Sequence, residues 1–404
     1  MKVKLEETKF DKLIFYSQEI TITGLTLILG ASGIGKTTAL KQLVRNYDCG
    51  FVSQDPDNQI VCDKVWHELA FGLENIGMPS NKIRARVAEV ATYLGISSMI
   101  NKDISELSGG QKQKVCLAAI LCMAPKFIIL DEPTSMLDPI SAREFWNLVL
   151  RLHNDNNITF LITEHNSIYI QRYCDLIYEL RDGYFKEFSV ESQVKPKLHK
   201  KQEYQEELVL RDLRKSYGQN LVLNIPKLSL SKGINCFVGP NGVGKSTLLH
   251  LLTGSYKEKK LIKNSVLMPQ DVKILFSKDV VRDELRDVEN IPEELKGLLD
   301  SHPLDLSGGE QHILGVVLTL QKEASFYCFD EPTKGMDRIT KDKISKLIVD
   351  SRKNCIVVSH DLDMVSKIAS KVFFLFNREI ASEGTPYEVF GDNLFYKPEG
   401  IIWN

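Results

Sequence analysis

The sequence lacks the features of several functional classes. Its eight cysteines include no CxxC pair, so the usual spacing of a zinc site or an iron–sulfur cluster is missing. No apolar run approaches the length of about 18 residues that a membrane-spanning helix needs. The first ten residues, MKVKLEETKF, have no signal-peptide core. These absences predict a protein of the reducing cytosol that meets a membrane only through a partner.

Neither sign of charge predominates, because 51 Lys+Arg stand against 53 Asp+Glu for a formal net charge of -2. A protein that holds nucleic acid through many phosphate contacts usually carries a basic face or domain. No nucleic-acid partner is therefore expected. One basic run, KPKLHKK at 195–201, lies in a polar stretch, and we interpret it as a solvated linker rather than a binding patch.

An internal repeat dominates the chain. Four motifs occur twice and in the same order: GASGIGKT at 30–37 and GPNGVGKS at 239–246, LSGGQ at 107–111 and LSGGE at 306–310, DEPT at 131–134 and 330–333, and a histidine at 165 and 360. A chain of 404 residues accommodates two domains of about 200 residues. We predict one domain at 1–190, a linker at 191–206 and a second domain at 207–404.

Short apolar runs alternate with helical segments in both halves. The buried-strand candidates are Leu25–Leu29, Ile128–Leu130, Ile158–Thr163 and Leu176–Leu180, then Asn235–Val238, Phe326–Phe329 and Cys355–Ser359. This alternation predicts an α/β fold with a mainly parallel sheet in each half. Helical stretches at 64–104 and 280–304 are predicted to form a subdomain in each half.

Each glycine-rich motif follows an apolar strand and precedes a helix, which is the context of a phosphate-binding P-loop. Glycines let backbone N–H groups surround phosphates, and the helix N-terminus adds positive potential. Lys36 and Lys245 are expected to reach the β- and γ-phosphates of ATP, with Thr37 and Ser246 on Mg²⁺. The predicted ATP-binding loop residues are Gly30, Ser32, Gly33, Gly35, Lys36, Thr37 and Thr38, and Gly239, Asn241, Gly242, Gly244, Lys245, Ser246 and Thr247.

An acidic pair ends one hydrophobic strand in each half. Asp131 and Asp330 are predicted to support Mg²⁺, and Glu132 and Glu331 to polarise the attacking water. An acidic cap at a strand end would not explain why the pair recurs downstream of each P-loop. The sequence therefore predicts an ATPase.

The LSGG motifs place a serine hydroxyl and glycine N–H groups at a helix start, which makes a second phosphate-binding device. These strings resemble the signature of ATP-binding cassette proteins, and the resemblance covers nearly the whole chain. The corresponding ATP contacts are Ser108, Gly109, Gly110 and Gln111, and Ser307, Gly308, Gly309 and Glu310.

The resemblance implies roles for further residues. They are Gln54 and Gln270 as Q-loop glutamines on Mg²⁺, His165 and His360 as catalytic switch histidines, Asp138 and Asp337 as D-loop aspartates, and Tyr217 as the aromatic that stacks on adenine. In the first half, Phe10 and Tyr16 both stay open as the adenine-stacking residue.

The resemblance also implies a head-to-tail pair, in which Lys36 shares an ATP with 307–309 and Lys245 shares one with 108–110. Because both cassettes belong to one chain, no obligatory homodimer is expected. The second signature departs from the family by ending in Glu310, and Ile313 replaces an arginine that is frequent there. Neither change removes a catalytic residue, so we predict that both sites hydrolyse ATP at unequal rates.

Two stretches indicate the kind of cassette. Residues 54–59 (QDPDNQ) and 67–75 (HELAFGLEN) resemble the cassettes of energy-coupling factor importers, and 384–390 (GTPYEVF) resembles their ending. The resemblance implies a transmembrane coupling protein and a small substrate-binding membrane protein as partners at the cytoplasmic face of the cell membrane. The implied cargo is a vitamin, a vitamin precursor, or nickel or cobalt. The alternative interpretation of residues 55–58 is a polar turn without a role in partner contact.

Two other functions compete with transport. One is a soluble tandem cassette that acts on ribosomes or DNA, a class that usually carries a long charged linker, a basic arm, a coiled-coil insertion or an iron–sulfur domain. The other is a nucleotide-binding regulator without turnover, which the intact Glu132, Glu331, His165 and His360 disfavour.

Overall fold

The computed structural model describes residues 1–10, 13–31, 33–164, 168–188, 205–218, 220–254, 260–391, 393 and 396–398. The chain divides into two compact units, Met1–Gln193 and Val194–Asn404. Of the linker predicted at 191–206, only residues 205 and 206 are described. The bounds 1–190 and 207–404 stay predictions.

The first unit contains ten strands and six helices among its described residues. The strands are β1 (Lys2–Leu5), β2 (Thr8–Phe10), β3 (Leu13–Phe15), β4 (Gln18–Thr21), β5 (Leu25–Leu29), β6 (Gly50–Val52), β7 (Phe127–Asp131), β8 (Thr159–Thr163), β9 (Leu176–Arg181) and β10 (Tyr184–Glu187). The helices are α1 (Lys36–Asn46), α2 (Val65–Asn75), α3 (Ser80–Tyr93), α4 (Gly109–Cys122), α5 (Pro139–Asn156) and α6 (Ile168–Gln171).

The second unit has eight strands and seven helices among its described residues. The strands are β11 (Glu206–Tyr217), β12 (Asn220–Ser231), β13 (Ile234–Val238), β14 (Ser265–Met268), β15 (Phe326–Asp330), β16 (Cys355–Val358), β17 (Lys371–Phe376) and β18 (Glu379–Gly384). The helices are α7 (Lys245–Thr253), α8 (Val281–Glu284), α9 (Glu293–Lys296), α10 (Gly308–Gln321), α11 (Arg338–Asp350), α12 (Leu362–Ile368) and α13 (Pro386–Gly391).

Each unit is built on a six-stranded sheet. The first has the order β10-β9-β5-β8-β7-β6, and the second, read from its other edge, has the matching order β18-β17-β13-β16-β15-β14. All pairs are parallel except the edge hairpins β9–β10 and β17–β18. Strands β7 and β15 are buried along their whole length, as expected when helices cover both faces. The predicted α/β class and its mainly parallel sheets are confirmed.

This order gathers the motifs at one edge of each sheet. The P-loops follow β5 and β13, the acidic pairs end β7 and β15, and the switch histidines come after β8 and β16. In parallel sheets the carboxyl ends of neighbouring strands lie side by side, and ligands bind in the crevice beyond them. The topology therefore brings together groups that are far apart in sequence.

The helical subdomains differ between the units. In the first, α2 and α3 have 11 and 14 residues and pack a continuous apolar face on the core. In the second, α8 and α9 have four residues each. The predicted helical stretch at 280–304 is thus reduced to two single turns, separated by the helix-disfavouring Pro292. In the described part of the chain, no helix combines the length and hydropathy needed to cross a bilayer.

Candidate nucleotide sites

Both P-loops have a backbone that glycine makes possible. Gly35 and Gly244 precede α1 and α7 with φ of 94° and 103°, and Gly33 and Gly242 have φ of 74° and 78°. A side chain is strained at such angles. A Cβ built on Gly33 or Gly242 would meet no atom within 4 Å, so the face of each loop is open to a ligand. Ser32 lies outside the described residues.

The two P-loop lysines are buried and fold back over their loops. Lys36 Nζ donates hydrogen bonds to the carbonyls of Gly30 at 2.8 Å and Ala31 at 3.1 Å. Lys245 Nζ donates to the carbonyls of Gly239 at 2.8 Å and Pro240 at 2.9 Å. An ammonium group held in this way presents a fixed positive charge at the start of a helix, where a phosphate is favoured.

Each P-loop hydroxyl meets the aspartate that was predicted as its Mg²⁺ partner. Ser246 Oγ donates to Asp330 at 3.0 Å, and Thr37 hydrogen-bonds to Asp131, which also accepts from Thr163 Oγ1 at 2.7 Å. Hydroxyl and carboxylate oxygens are the ligands that Mg²⁺ prefers. With the open glycine loops and the buried lysines, these oxygen pairs fit Mg²⁺–ATP.

Burial raises the pKa of both aspartates. For Asp330 it rises to about 6, although the hydrogen bond from Ser246 opposes the shift. The pKa of Asp131 is raised as well, against hydrogen bonds from Thr163 and Thr37. Removal from water disfavours the charged carboxylate, and a bound cation would restore it.

The predicted catalytic glutamates share an unusual backbone conformation. Glu132 has φ of 47° and Glu331 has φ of 51°, in the left-handed region that side chains rarely adopt. Their N–H groups donate to the carbonyls of Thr163 at 3.0 Å and Val358 at 2.9 Å. Both glutamates are thus tied to the neighbouring strand and turned out of the strand direction. Such strain is concentrated at functional sites.

The carboxylate of each of these glutamates meets a basic side chain. Glu132 Oε1 lies 3.3 Å from Lys36 Nζ, with both groups buried. Glu331 Oε2 lies 2.8 Å from His360 Nδ1 and accepts the His360 N–H at 3.2 Å. Burial alone would raise the pKa of Glu331, but His360 and Lys245 hold it below its usual value. His165 lies outside the described residues.

The residue before each predicted switch histidine differs between the two units, and the sequence analysis did not assign it to the site. Glu164 follows β8 and is buried, and its Oε2 accepts Thr134 Oγ1 at 2.8 Å and the Thr134 N–H at 3.4 Å. The second unit has Ser359 at this position, and Thr333 Oγ1 instead meets Met364 Sδ at 3.4 Å. The sequence contained a signal for it, because only the first half has a third acidic residue, Glu164, next to the predicted catalytic motifs.

The two signatures begin their helices with the same device. Ser108 and Ser307 cap α4 and α10, and each forms a reciprocal capping box with the residue three positions on, Gln111 or Glu310. Glu310, which stands where the signature usually has glutamine, therefore preserves the cap. Ser307 Oγ also donates a hydrogen bond to the Glu310 carboxylate at 2.6 Å. This carboxylate adds negative charge at the position predicted to contact a phosphate.

The predicted D-loop aspartates cap helices as well. Asp138 accepts the N–H groups of Ile140 and Ser141 at the start of α5, and Asp337 accepts the Thr340 N–H at 2.7 Å at the start of α11. Both are buried. Capping is one role of these aspartates, and the D-loop role stays a prediction.

The predicted Q-loop glutamines each lie two residues beyond a strand end, Gln54 after β6 and Gln270 after β14. Both strands are the edge neighbours of the strands that carry the acidic pairs. This placement brings the glutamines to the same edge of the sheet as the P-loops. Their contact with Mg²⁺ stays a prediction.

The aromatic candidates for adenine stacking are placed unequally. Tyr217 ends β11 and is 56% exposed, with Lys215 Nζ 5.0 Å from its ring centre. Tyr16 stacks on Tyr184 at 4.5 Å, which occupies one face of its ring. The side chain of Phe10 lies outside the described residues. Tyr217 thus has a ring available to solvent, as stacking requires.

Comparison with known proteins identifies the repeat. The ABC transporter family matches residues 17–135 and 223–334. A "Putative ABC transporter ATP-binding protein" of Bacillus thuringiensis is 30% identical over 92% of this chain and 88% of its own length. The "Putative HMP/thiamine import ATP-binding protein YkoD" of Bacillus subtilis is 31% identical over 84% of this chain and 77% of its own.

Solved structures match both units together. An "RNase-L Inhibitor" has a TM-score of 0.68 and 21% identity, covering 92% of this chain and 87% of its own. A model of ribosome-bound archaeal Pelota and ABCE1 contains a chain with a TM-score of 0.74 and 21% identity, covering 95% of this chain and 79% of its own. At this identity the likeness shows the fold alone.

Proposed function

The chain belongs to the ABC transporter family of ATPases, and from that premise we propose that it powers a membrane importer of the energy-coupling factor type. Its cargo is a vitamin, a vitamin precursor or a transition-metal ion. Its partners are a transmembrane coupling protein and a small substrate-binding membrane protein, and it works at the cytoplasmic face of the membrane. The thiamine-related import named for the Bacillus subtilis relative supports this direction.

The observation that carries the proposal is the segment after Gln54. Asp55 caps a short 3-10 turn at Pro56–Asn58, and Lys112 of the signature helix pairs with Asp57 at 2.5 Å. Gln59 accepts the Ser53 N–H at 2.8 Å and donates to the Phe51 carbonyl at 2.9 Å. These contacts connect the end of β6 to the signature helix, and an ordered segment at this position supports the partner-contact interpretation.

Exposed apolar side chains lie on the same subdomain. Val61, Phe71 and Ile76 are 65%, 44% and 61% exposed, and Met123 at the end of α4 is also exposed. Helix α2 packs closely there, because a Cβ on Gly72 would come within 2.8 Å of Met123 Sδ. Exposed apolar groups on a rigid helix pair are suited to a protein partner.

In the proposed reaction the chain's own residues bind ATP and orient water. Lys36 and Lys245 neutralise phosphate charge, and Thr37 with Asp131 and Ser246 with Asp330 would hold Mg²⁺, which screens the phosphates. Glu132 and Glu331 accept hydrogen bonds from the attacking water and keep it in line. His360 orients Glu331.

The test is purification of the tagged chain from detergent-solubilised membranes, followed by mass spectrometry. We expect a polytopic membrane protein together with a small hydrophobic one, whose identity would point to the cargo. Ribosomal or DNA-repair proteins without a membrane protein would overturn the importer and leave the ATPase standing.

A pair of variants locates the contact. Phe71→Glu is expected to lose the membrane protein, whereas Phe376→Glu, on the 58% exposed Phe376 of β17, is expected to retain it. Both variants should keep ATP binding. Retention by Phe71→Glu would place the coupling surface elsewhere.

A further inference from the structure

A tyrosine near the C-terminus reaches the second P-loop. Tyr396 is only 4% exposed, and its hydroxyl accepts the backbone N–H of Gly239 at 3.0 Å. Its ring packs against Phe374 of β17, with the ring centres 4.9 Å apart. Tyr396 thus joins a glycine that precedes it by 157 residues, in a buried contact that no catalytic motif requires.

Gly239 connects this tyrosine to the phosphate-binding lysine. The Gly239 carbonyl accepts Lys245 Nζ at 2.8 Å, while its N–H is taken by Tyr396. Its φ is 149°, and a Cβ there would come within 2.4 Å of the Leu375 carbonyl, so the peptide has little room to move. The hydroxyl therefore holds the peptide group on one side of the Gly239 Cα, and the peptide group on the other side holds the ammonium group.

We propose that Tyr396 is a positioning residue for ATP at the second site, through the contact sequence Tyr396, Gly239, Lys245. Without the hydroxyl, a buried N–H would lack its partner and the loop would shift to find another. Lys245 would then be less well placed to meet phosphate. The inference rests on the ATP sites proposed above and is independent of the importer.

The first unit supplies an internal comparison. There the Gly30 carbonyl holds Lys36 Nζ at the same distance, 2.8 Å. No tyrosine of the described residues bonds to Gly30 in that unit. The proposal therefore predicts an effect confined to one of two loops that share the same motif.

The experiment uses the full chain with one site silenced. In a Lys36→Ala background, Tyr396→Phe keeps the ring on Phe374 and removes only the hydroxyl. We expect the KM for Mg²⁺–ATP to rise by about fivefold or more, with kcat within about twofold, because binding rather than the water-activating glutamate is affected.

Controls separate positioning from general destabilisation. In a Lys245→Ala background only the first site binds ATP, so Tyr396→Phe should leave the KM unchanged. Tyr173 is an exposed tyrosine, and Tyr173→Phe should leave the KM unchanged in either background. Thermal unfolding shows whether each variant is folded. An unaltered KM in the Lys36→Ala background, or an equal rise in both backgrounds, overturns the proposal. Absence of ATP binding in the Lys36→Ala parent would instead refute the site assignment.

Discussion

In the first cassette the carboxylate of Glu132 lies against Lys36, whereas in the second the carboxylate of Glu331 lies against His360. In the described part of the two sites, the same motifs on the same strand order thus bring each glutamate to a basic side chain of a different kind. A glutamate paired with the phosphate-binding lysine competes with phosphate for that charge. A glutamate whose pKa is lowered by a histidine stays ionised to a lower pH.

The helical subdomains also differ between the two cassettes, and here the first cassette has the larger elements. The first cassette has the long α2 and α3 and the rigid segment after Gln54, while the second has only the single turns α8 and α9. From this difference we predict that partner contact is concentrated in the first cassette and turnover in the second. Four predictions can break or sharpen that comparison.

The largest effect is expected from removing the glutamates one at a time. Glu331→Gln should remove most of the ATPase activity and Glu132→Gln a smaller, measurable share, because His360 holds the pKa of Glu331 below its usual value, whereas Glu132 is paired with Lys36. The double variant should lose roughly 10²- to 10⁴-fold, the usual worth of a general base. Steady-state turnover measures all three. Unchanged activity in either single variant would show that its site does not hydrolyse ATP, and a larger loss in Glu132→Gln would reverse the assignment.

A pH titration of the Mg²⁺ requirement sharpens the comparison further. Since the pKa of Asp330 is about 6 in the folded chain, protons should compete with Mg²⁺ at the second site as the pH falls below about 6. We expect the Mg²⁺ concentration for half-maximal activity of Glu132→Gln to rise about tenfold per pH unit below that value. Glu331→Gln reports the same competition at Asp131, whose pKa is also raised by burial. A Mg²⁺ requirement that does not change with pH in Glu132→Gln would contradict the raised pKa of Asp330.

The same shift affects the stability of the chain without nucleotide. Between pH 3.8, the ordinary pKa, and about 6, the folded chain holds a proton on Asp330 that the unfolded chain releases. This carboxyl therefore lowers the free energy of unfolding as the pH rises through that window. Saturating Mg²⁺ should weaken the dependence.

The smallest effect concerns the contact of Glu164 with Thr134. Thr134→Val removes a hydroxyl donated to a buried carboxylate and should lower the free energy of unfolding by about 1.5 to 3 kcal/mol. Thr333→Val, whose hydroxyl meets only the Met364 sulfur, should cost less. Urea denaturation of the two variants compares them. Equal losses would mean that Glu164 adds nothing to the first site.

Much of the fold could be read from apolar runs. The prediction of Leu25–Leu29 matches β5 residue for residue, and Ile128–Leu130 is β7 without its two end residues. The hairpin β11–β12 was not predicted, because its alternating polar strand EELVLRDLRKSY is stabilised by pairing with a strand rather than by its own pattern. The single-turn helices α8 and α9 were predicted longer than they are.

Motif spacing located the candidate sites but not their internal contacts. The choice of Lys36 or His360 as the partner of a glutamate depends on side-chain packing, which no spacing encodes. Tyr396 belongs to no motif, and only the tertiary structure brings it to Gly239. Glu164 was visible as an extra acid, but its partner Thr134 was not. The residue roles themselves stay predictions.

The left-handed backbone of Glu132 and Glu331 has a consequence for engineering. Glycine adopts that conformation without strain, whereas a side chain there costs of order 1 to 3 kcal/mol. A search for heat-tolerant variants would therefore favour glycine at the two positions whose carboxylates are predicted to be needed for turnover. Thermal stability and activity therefore oppose each other at positions 132 and 331, and a stabilised variant of this chain has to gain its stability from other residues.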